Sequence, residues 1–244
     1  MSTTVSSISM PVSAPRRRWA RIGARVAGGA VLLTGLAAVL HLPFAAPLLR
    51  AISPASVCPI MRGSPAQIDR AHALGAAAIR SSGASAAPAR PALGFELDKT
   101  RKTDLDAWAT RHRVTCSSIA GNETLQRCKD VPAAAVGQPG ELGPLEEITF
   151  ELRSTGELVN VQTMRRHLTP EHAAHAALEL ERSAAAALGA PSTVGGEATA
   201  AHLSHGLLST YVAVHEFKDY RATITATNLA ETGMMVREEY LSAR

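Results

Sequence analysis

Tyr220-Arg221-Ala222-Thr223-Ile224-Thr225-Ala226-Thr227-Asn228 alternates strictly between a mostly apolar and a polar set of side chains. Successive residues of a strand point to opposite faces, so this period of two marks a strand with one face buried and a threonine ladder on the other. Antiparallel sheets are the kind that keep one face open in this way. Working outward, Met234–Leu241 and Leu208–Glu216 flank the ladder as further strands, and a fourth is expected at Ala200–Ser204.

Upstream, Thr169-Pro170 opens a long helix that Gly189 and Pro191 close, because Thr caps, Pro suits the first turn and Gly suits the end. Its apolar face is mostly Ala, with Leu180 and Leu188. Before it, Ile148, Phe150 and Leu152 alternate with Thr149, Glu151 and Arg153, and Ser154-Thr155-Gly156-Glu157 turns this strand into Leu158–Met164. A Pro- and Gly-rich loop covers Pro132 to Pro144. Thr103 to His112 reads as a short helix with Leu105, Trp108 and Ala109 on one face.

Between them, Arg113–Ile119 and Thr124–Cys128 form a hairpin about Gly121-Asn122. This register sets Cys116 opposite Cys128 at a separation a disulfide can bridge. Cys58 is left over, and three cysteines so spaced do not resemble a zinc site.

The order helix, strands, helix, strands predicts an α+β domain: antiparallel sheet, two or three helices on one face. It is compatible with a degenerate tandem repeat of a helix followed by a β-meander.

The N-terminal fifty residues differ in kind. Arg16, Arg17, Arg18, Arg21 and Arg25 precede or enter the apolar run Val26 to Leu42, and the first acidic residue is Asp69. Counted from Trp19 the run reaches the roughly 20 residues a bilayer requires, and Pro43 and Pro47 break it. The arginine bias keeps the N-terminus in the cytoplasm and exports the rest. The organisation expected is therefore a disordered cytoplasmic tail at 1–18 and a membrane anchor or signal segment at 19–42. A membrane-proximal helix and an Ala/Ser/Pro linker follow at 43–92, the helix running from Ser64-Pro65 through Arg80. An extracytoplasmic α+β domain occupies 93–244. An oxidising compartment such as a bacterial periplasm suits the Cys116–Cys128 pairing.

Charge narrows the partners. Of 25 Lys and Arg, six lie in the first fifty residues, which leaves 19 against 21 acidic residues. The net charge of the remainder is about −2, which argues against nucleic-acid binding. Catalytic motifs are absent: there is no Gly-x-Ser-x-Gly, no His-Glu-x-x-His and no phosphate loop. Glu238-Glu239 is an adjacent pair whose carboxylates point to opposite faces, and Arg165-Arg166 with His167 reads as a solvated strand end. No cofactor is implied.

Two expectations about function remain. The first is a membrane-anchored binding or scaffolding domain of a bacterial envelope, recognising a protein partner through an open sheet face that carries Thr223, Thr225 and Thr227. The second is a metal-binding protein using His172, His175 and Glu179, which share one face of the long helix, with His202 or His205 completing the site.

Overall fold

Alternating burial in the C-terminal half builds a single antiparallel sheet of eight strands. The structure is a computed structural model and describes residues 65–230 and 232–244. The tail, the 19–42 segment and Cys58 lie outside the described residues. Among those described, no helix is long and apolar enough to cross a membrane.

The elements run α1 (Pro65–Ser82), α2 (Lys102–His112), β1 (Thr115–Ile119), β2 (Asn122–Val131), β3 (Leu145–Leu152), β4 (Leu158–Leu168), α3 (Pro170–Leu188), β5 (Thr193–Gly195), α4 (Ala200–Ser204), β6 (Thr210–Glu216), β7 (Tyr220–Leu229) and β8 (Gly233–Ser242). Two short 3-10 turns, Ala133–Val136 and Gly140–Leu142, shape the Pro/Gly loop between β2 and β3. Strand order is β1-β2-β3-β4-β8-β7-β6-β5, with every neighbouring pair antiparallel. Two four-stranded sets thus lie side by side and meet through their last strands, β4 and β8. Each set follows a helix, α2 before the first and α3 before the second. The class is α+β.

Both helices cover the same face. Leu105 and Trp108 of α2 join Phe150 and Val161 of the sheet, while Ala173, Ala177 and Leu180 of α3 join Ala213, Ala222 and Ile224, all in one continuous core. Thr169 caps α3 as expected, its hydroxyl accepting from the His172 amide at 3.3 Å. At α2 the cap is Arg101 rather than Thr103, and the Asp104 carboxylate accepts from the Arg101 amide at 2.8 Å.

Some sequence-based expectations change. Ala200–Ser204 is a helix, not a strand: the Thr199 hydroxyl accepts from the His202 amide at 3.1 Å, and Leu203 is its one buried side chain. A strand was not expected at Thr193–Gly195, in the Gly-rich loop; it pairs with Val212–Val214 as the sheet edge. Not every helix is on one face. In α1, Ile79 and Ala76 pack with Leu241 and Ala243 in a separate small cluster, and His72 Nε2 lies 2.6 Å from Glu151 Oε1, so α1 lies against the opposite face.

The Ser/Ala/Pro stretch after α1, expected as a free linker, is tied to the sheet. The Lys218 backbone amide donates to the Ser85 carbonyl at 2.7 Å, the Ala87 amide to Asp219 at 2.9 Å, and the Tyr220 hydroxyl to the Pro91 carbonyl at 2.6 Å. Gly83 permits this crossing, since a Cβ there would stand 2.3 Å from the Phe217 backbone carbon. The segment ends in Asp98, whose Oδ2 receives Arg90 and Ser242, each at 2.6 Å, and whose Oδ1 lies 3.0 Å from Arg153. Burial pushes the Asp98 carboxyl up, but the Ser242 and Arg90 hydrogen bonds outweigh it and hold it below the usual range.

Candidate functional site

Parity along the strands divides the polar residues between two sites. On β7 the residues Tyr220, Ala222, Ile224 and Ala226 are buried against the helices, and Thr223, Thr225 and Thr227 are half-buried on the other face. Pairing places Thr223 between Val214 and Glu239, Thr225 between Val212 and Arg237, and Thr227 between Thr210 and Met235. The Thr210 hydroxyl donates to that of Thr227 at 3.2 Å. The result is an uncharged stripe of Thr and Val along β6 and β7, bordered on β8 by Glu239, Arg237 and Met235.

Across the rest of this face most charges are paired with one another, while among the described residues Arg221 at the end of β7 and Lys129 on β2 have no ion pair. Arg237 meets Glu239 at 2.6 Å, Arg127 meets Glu147 at 3.7 Å, and the Asn160 amide bridges Glu151 at 3.3 Å and Glu239 at 3.2 Å. Self-paired charges of both signs make no basic tract for phosphates. Of the described helices, only α1 lies on this face, at its Glu151–Leu241 end.

The second site lies on the helix-covered face, at the seam between the two sets of strands. There β4 and β8 pair Val161 with Tyr240, Thr163 with Glu238 and Arg165 with Val236. Glu238 is fully buried and Arg165 is 2% exposed. Glu238 Oε1 accepts from the Thr163 hydroxyl at 2.9 Å and from the Gln138 amide, and Oε2 accepts from the Tyr240 hydroxyl at 2.8 Å. Arg165 donates through Nε to the Leu142 carbonyl at 3.1 Å and through Nη2 to the Gln138 side-chain oxygen, and its Nη1 is 3.9 Å from Glu238. Gln138, from the Pro/Gly loop, therefore bridges a buried ion pair with both ends of its amide.

Burial pushes the Arg165 guanidinium down, opposed by the Glu238 charge. It pushes the Tyr240 phenol far up, and Glu238 reinforces that shift, so Tyr240 remains a neutral donor. Reading Arg165 as a solvated strand end is thus corrected. β4 continues four residues beyond Met164, to Leu168, and parity turns Arg165 inward with Thr163 and Val161. Its buried partner Glu238 is remote in sequence, and only the pairing of β4 with β8 brings the two together.

The other expected residues are placed as follows. Cys116 stands directly across from Cys128 on β1 and β2, and the two sulfurs are at disulfide distance. His172 and His175 are exposed on α3, beside a small cleft with Glu141 and Leu168, while the Glu179 carboxylate is taken by Arg182. His202 turns its ring to the Thr210 carbonyl at 3.2 Å. Among the described residues, no three His, Cys, Asp or Glu side chains gather to hold a metal ion.

A third polar group went unnoticed in the sequence. His215 of β6 is fully buried, and the Tyr211 hydroxyl donates to Glu181 of α3. Burial pushes the His215 imidazole below its ordinary range, against the pull of Glu181. The strict alternation of Tyr211, Ala213 and His215 was the signal that could have placed it inside. No family model, curated protein or solved structure matches the chain.

Proposed function

We propose that this chain is a membrane-anchored binding or scaffolding domain of a bacterial envelope, with its folded part outside the cytoplasm. Its recognition surface is the sheet face opposite α2 and α3. The observation that carries the reading is the uncharged Thr223–Thr225–Thr227 stripe, bordered by charges of which most neutralise one another. A surface of this kind favours a protein partner over a polyanion, because broad protein interfaces resemble ordinary protein surface and do not depend on net charge. The anchor rests on the arginine-flanked apolar run at 19–42, and the compartment is supported by the Cys116–Cys128 pair. We read the two helix-led sets of strands as a degenerate tandem repeat, which accounts for a sheet wide enough to serve as a platform.

Photocrosslinking in intact cells tests this reading. A photoreactive residue at Thr225 is expected to give a discrete adduct of higher mass in the membrane fraction, and one at exposed Ala186 on α3 is expected to give none. Monomer alone from Thr225, or a chain recovered entirely in the soluble cytoplasmic fraction, would overturn it.

A further inference from the structure

Above the seam the helical layer is open. The opening encloses about 510 Å³ between α3, the 91–94 stretch and the 136–142 loop, with Glu238 and Tyr240 at its floor. Small-molecule sites span about 300–1,000 Å³ and are mostly apolar with a few convergent polar groups. The walls here are Ala92, Leu93, Val136, Leu142 and Leu180, which match that description.

The polar floor has one vacant acceptor position, and an unpartnered donor lies behind it. An ionised carboxylate offers about four acceptor positions. Glu238 uses three, for Thr163, Gln138 and Tyr240, and the remaining one is on Oε2. Arg165 is buried directly behind two lining residues, bonded to the Leu142 carbonyl and the Gln138 side chain, and its Nη1 has no hydrogen-bond partner. A buried donor left unpaired is costly, and more so when charged.

The Glu238 charge at the floor is offset by the Arg165 charge behind it, 3.9 Å away. A cationic head would be set against Arg165 and an anionic head against Glu238. At the rim, Glu179 and Arg182 also neutralise each other. We propose that this cavity binds an uncharged, mainly apolar small molecule whose single hydroxyl or carboxamide head meets the Glu238–Tyr240 floor. The apolar body lies along Leu93, Val136 and Leu180. The site is on the opposite side of the sheet from Thr225, so it stands or falls independently of the partner surface.

The test is ¹⁹F NMR titration of the full-length chain in detergent with 4-fluorobenzamide, compared with 4-fluorobenzoate and 4-fluorobenzylammonium. Ala186→Trp and Ser183→Trp replace exposed rim residues of α3 and fill the mouth. Either variant that keeps the parent unfolding midpoint serves as the control, and detergent partitioning is common to both chains. Expected is saturable broadening of the carboxamide signal, at least tenfold weaker for both charged analogues and weakened at least tenfold by the rim tryptophan. No saturable response to the carboxamide, equal binding of a charged analogue, or an unchanged response in the rim variant would overturn the proposal.

Discussion

The two halves of the sheet reach the same layout by opposite packing. In the first, a short helix is held by large aromatic rings. Trp108 meets Phe95 and Phe150 edge to face at centroid distances of 5.2 and 5.7 Å, and its indole donates to the Ala135 carbonyl at 2.9 Å. A cysteine pair joins β1 to β2 under that helix. In the second, a nineteen-residue helix presents Ala173, Ala174, Ala176, Ala177 and Ala184 to a sheet face made of Ala213, Ala222, Ile224 and Ala226. Small side chains on both layers replace bulk with many close contacts. What matters for the layout is strand pairing and the placement of a helix before each set. The filler between helix and sheet is free to differ.

This comparison is most severely tested by Trp108→Ala. Truncating a buried Trp costs about 3–5 kcal/mol, and urea unfolding of the variant is expected to show a loss of that size. A loss under 1 kcal/mol would mean that the first half does not depend on its aromatic cluster. Next comes the double change Cys116→Ser with Cys128→Ser. Opening a loop this short is expected to lower stability by about 2–3 kcal/mol, read as a matching loss on reduction of the parent and no response to reductant in the variant.

The alanine half should fail in the other direction. Ala177 is fully buried, so Ala177→Leu overpacks it and is expected to cost about 1–3 kcal/mol. A stabilised variant would show that a void, not close packing, separates α3 from the sheet.

His215 gives the second half a pH dependence. Its imidazole is depressed by burial, so the unfolded chain binds a proton that the folded chain refuses. Stability therefore falls as pH drops below about 6.5, toward the depressed value. His215→Phe is expected to flatten the difference in unfolding free energy between pH 7.5 and pH 5. The smallest effect on stability belongs to Thr225→Lys on the open face, within about 0.5 kcal/mol, although the same change is expected to abolish the adduct formed from a photoreactive residue placed at Thr227 on that face.

Local periodicity made most of the elements legible. Tyr220–Thr227 alternates because one face of β7 is buried, and Thr169-Pro170 with Gly189 bounds α3 because caps are local devices. The cysteine pairing was legible for the same reason, since a hairpin relates Cys116 and Cys128 through a single turn. The Ala200–Ser204 segment misled because five residues with one buried Leu carry too little period to separate helix from strand. β5 is only three residues long, and its pairing with β6 is nonlocal.

The seam was not legible. Arg165 and Glu238 are each ordinary polar residues next to another charge, and nothing local marks either as buried. The sequence by itself determined what depends on neighbours along the chain: strand parity, the two ends of α3, the hairpin and its cysteines, and the arginine-flanked apolar run. Tertiary structure alone decided what depends on the pairing of β4 with β8. That pairing joins residues some seventy positions apart, buries Arg165 beside Glu238 with Gln138 between them, and leaves a cavity above. Side-chain direction is a local property with a period of two, whereas which strands become neighbours is settled only when the whole chain buries its apolar face at once.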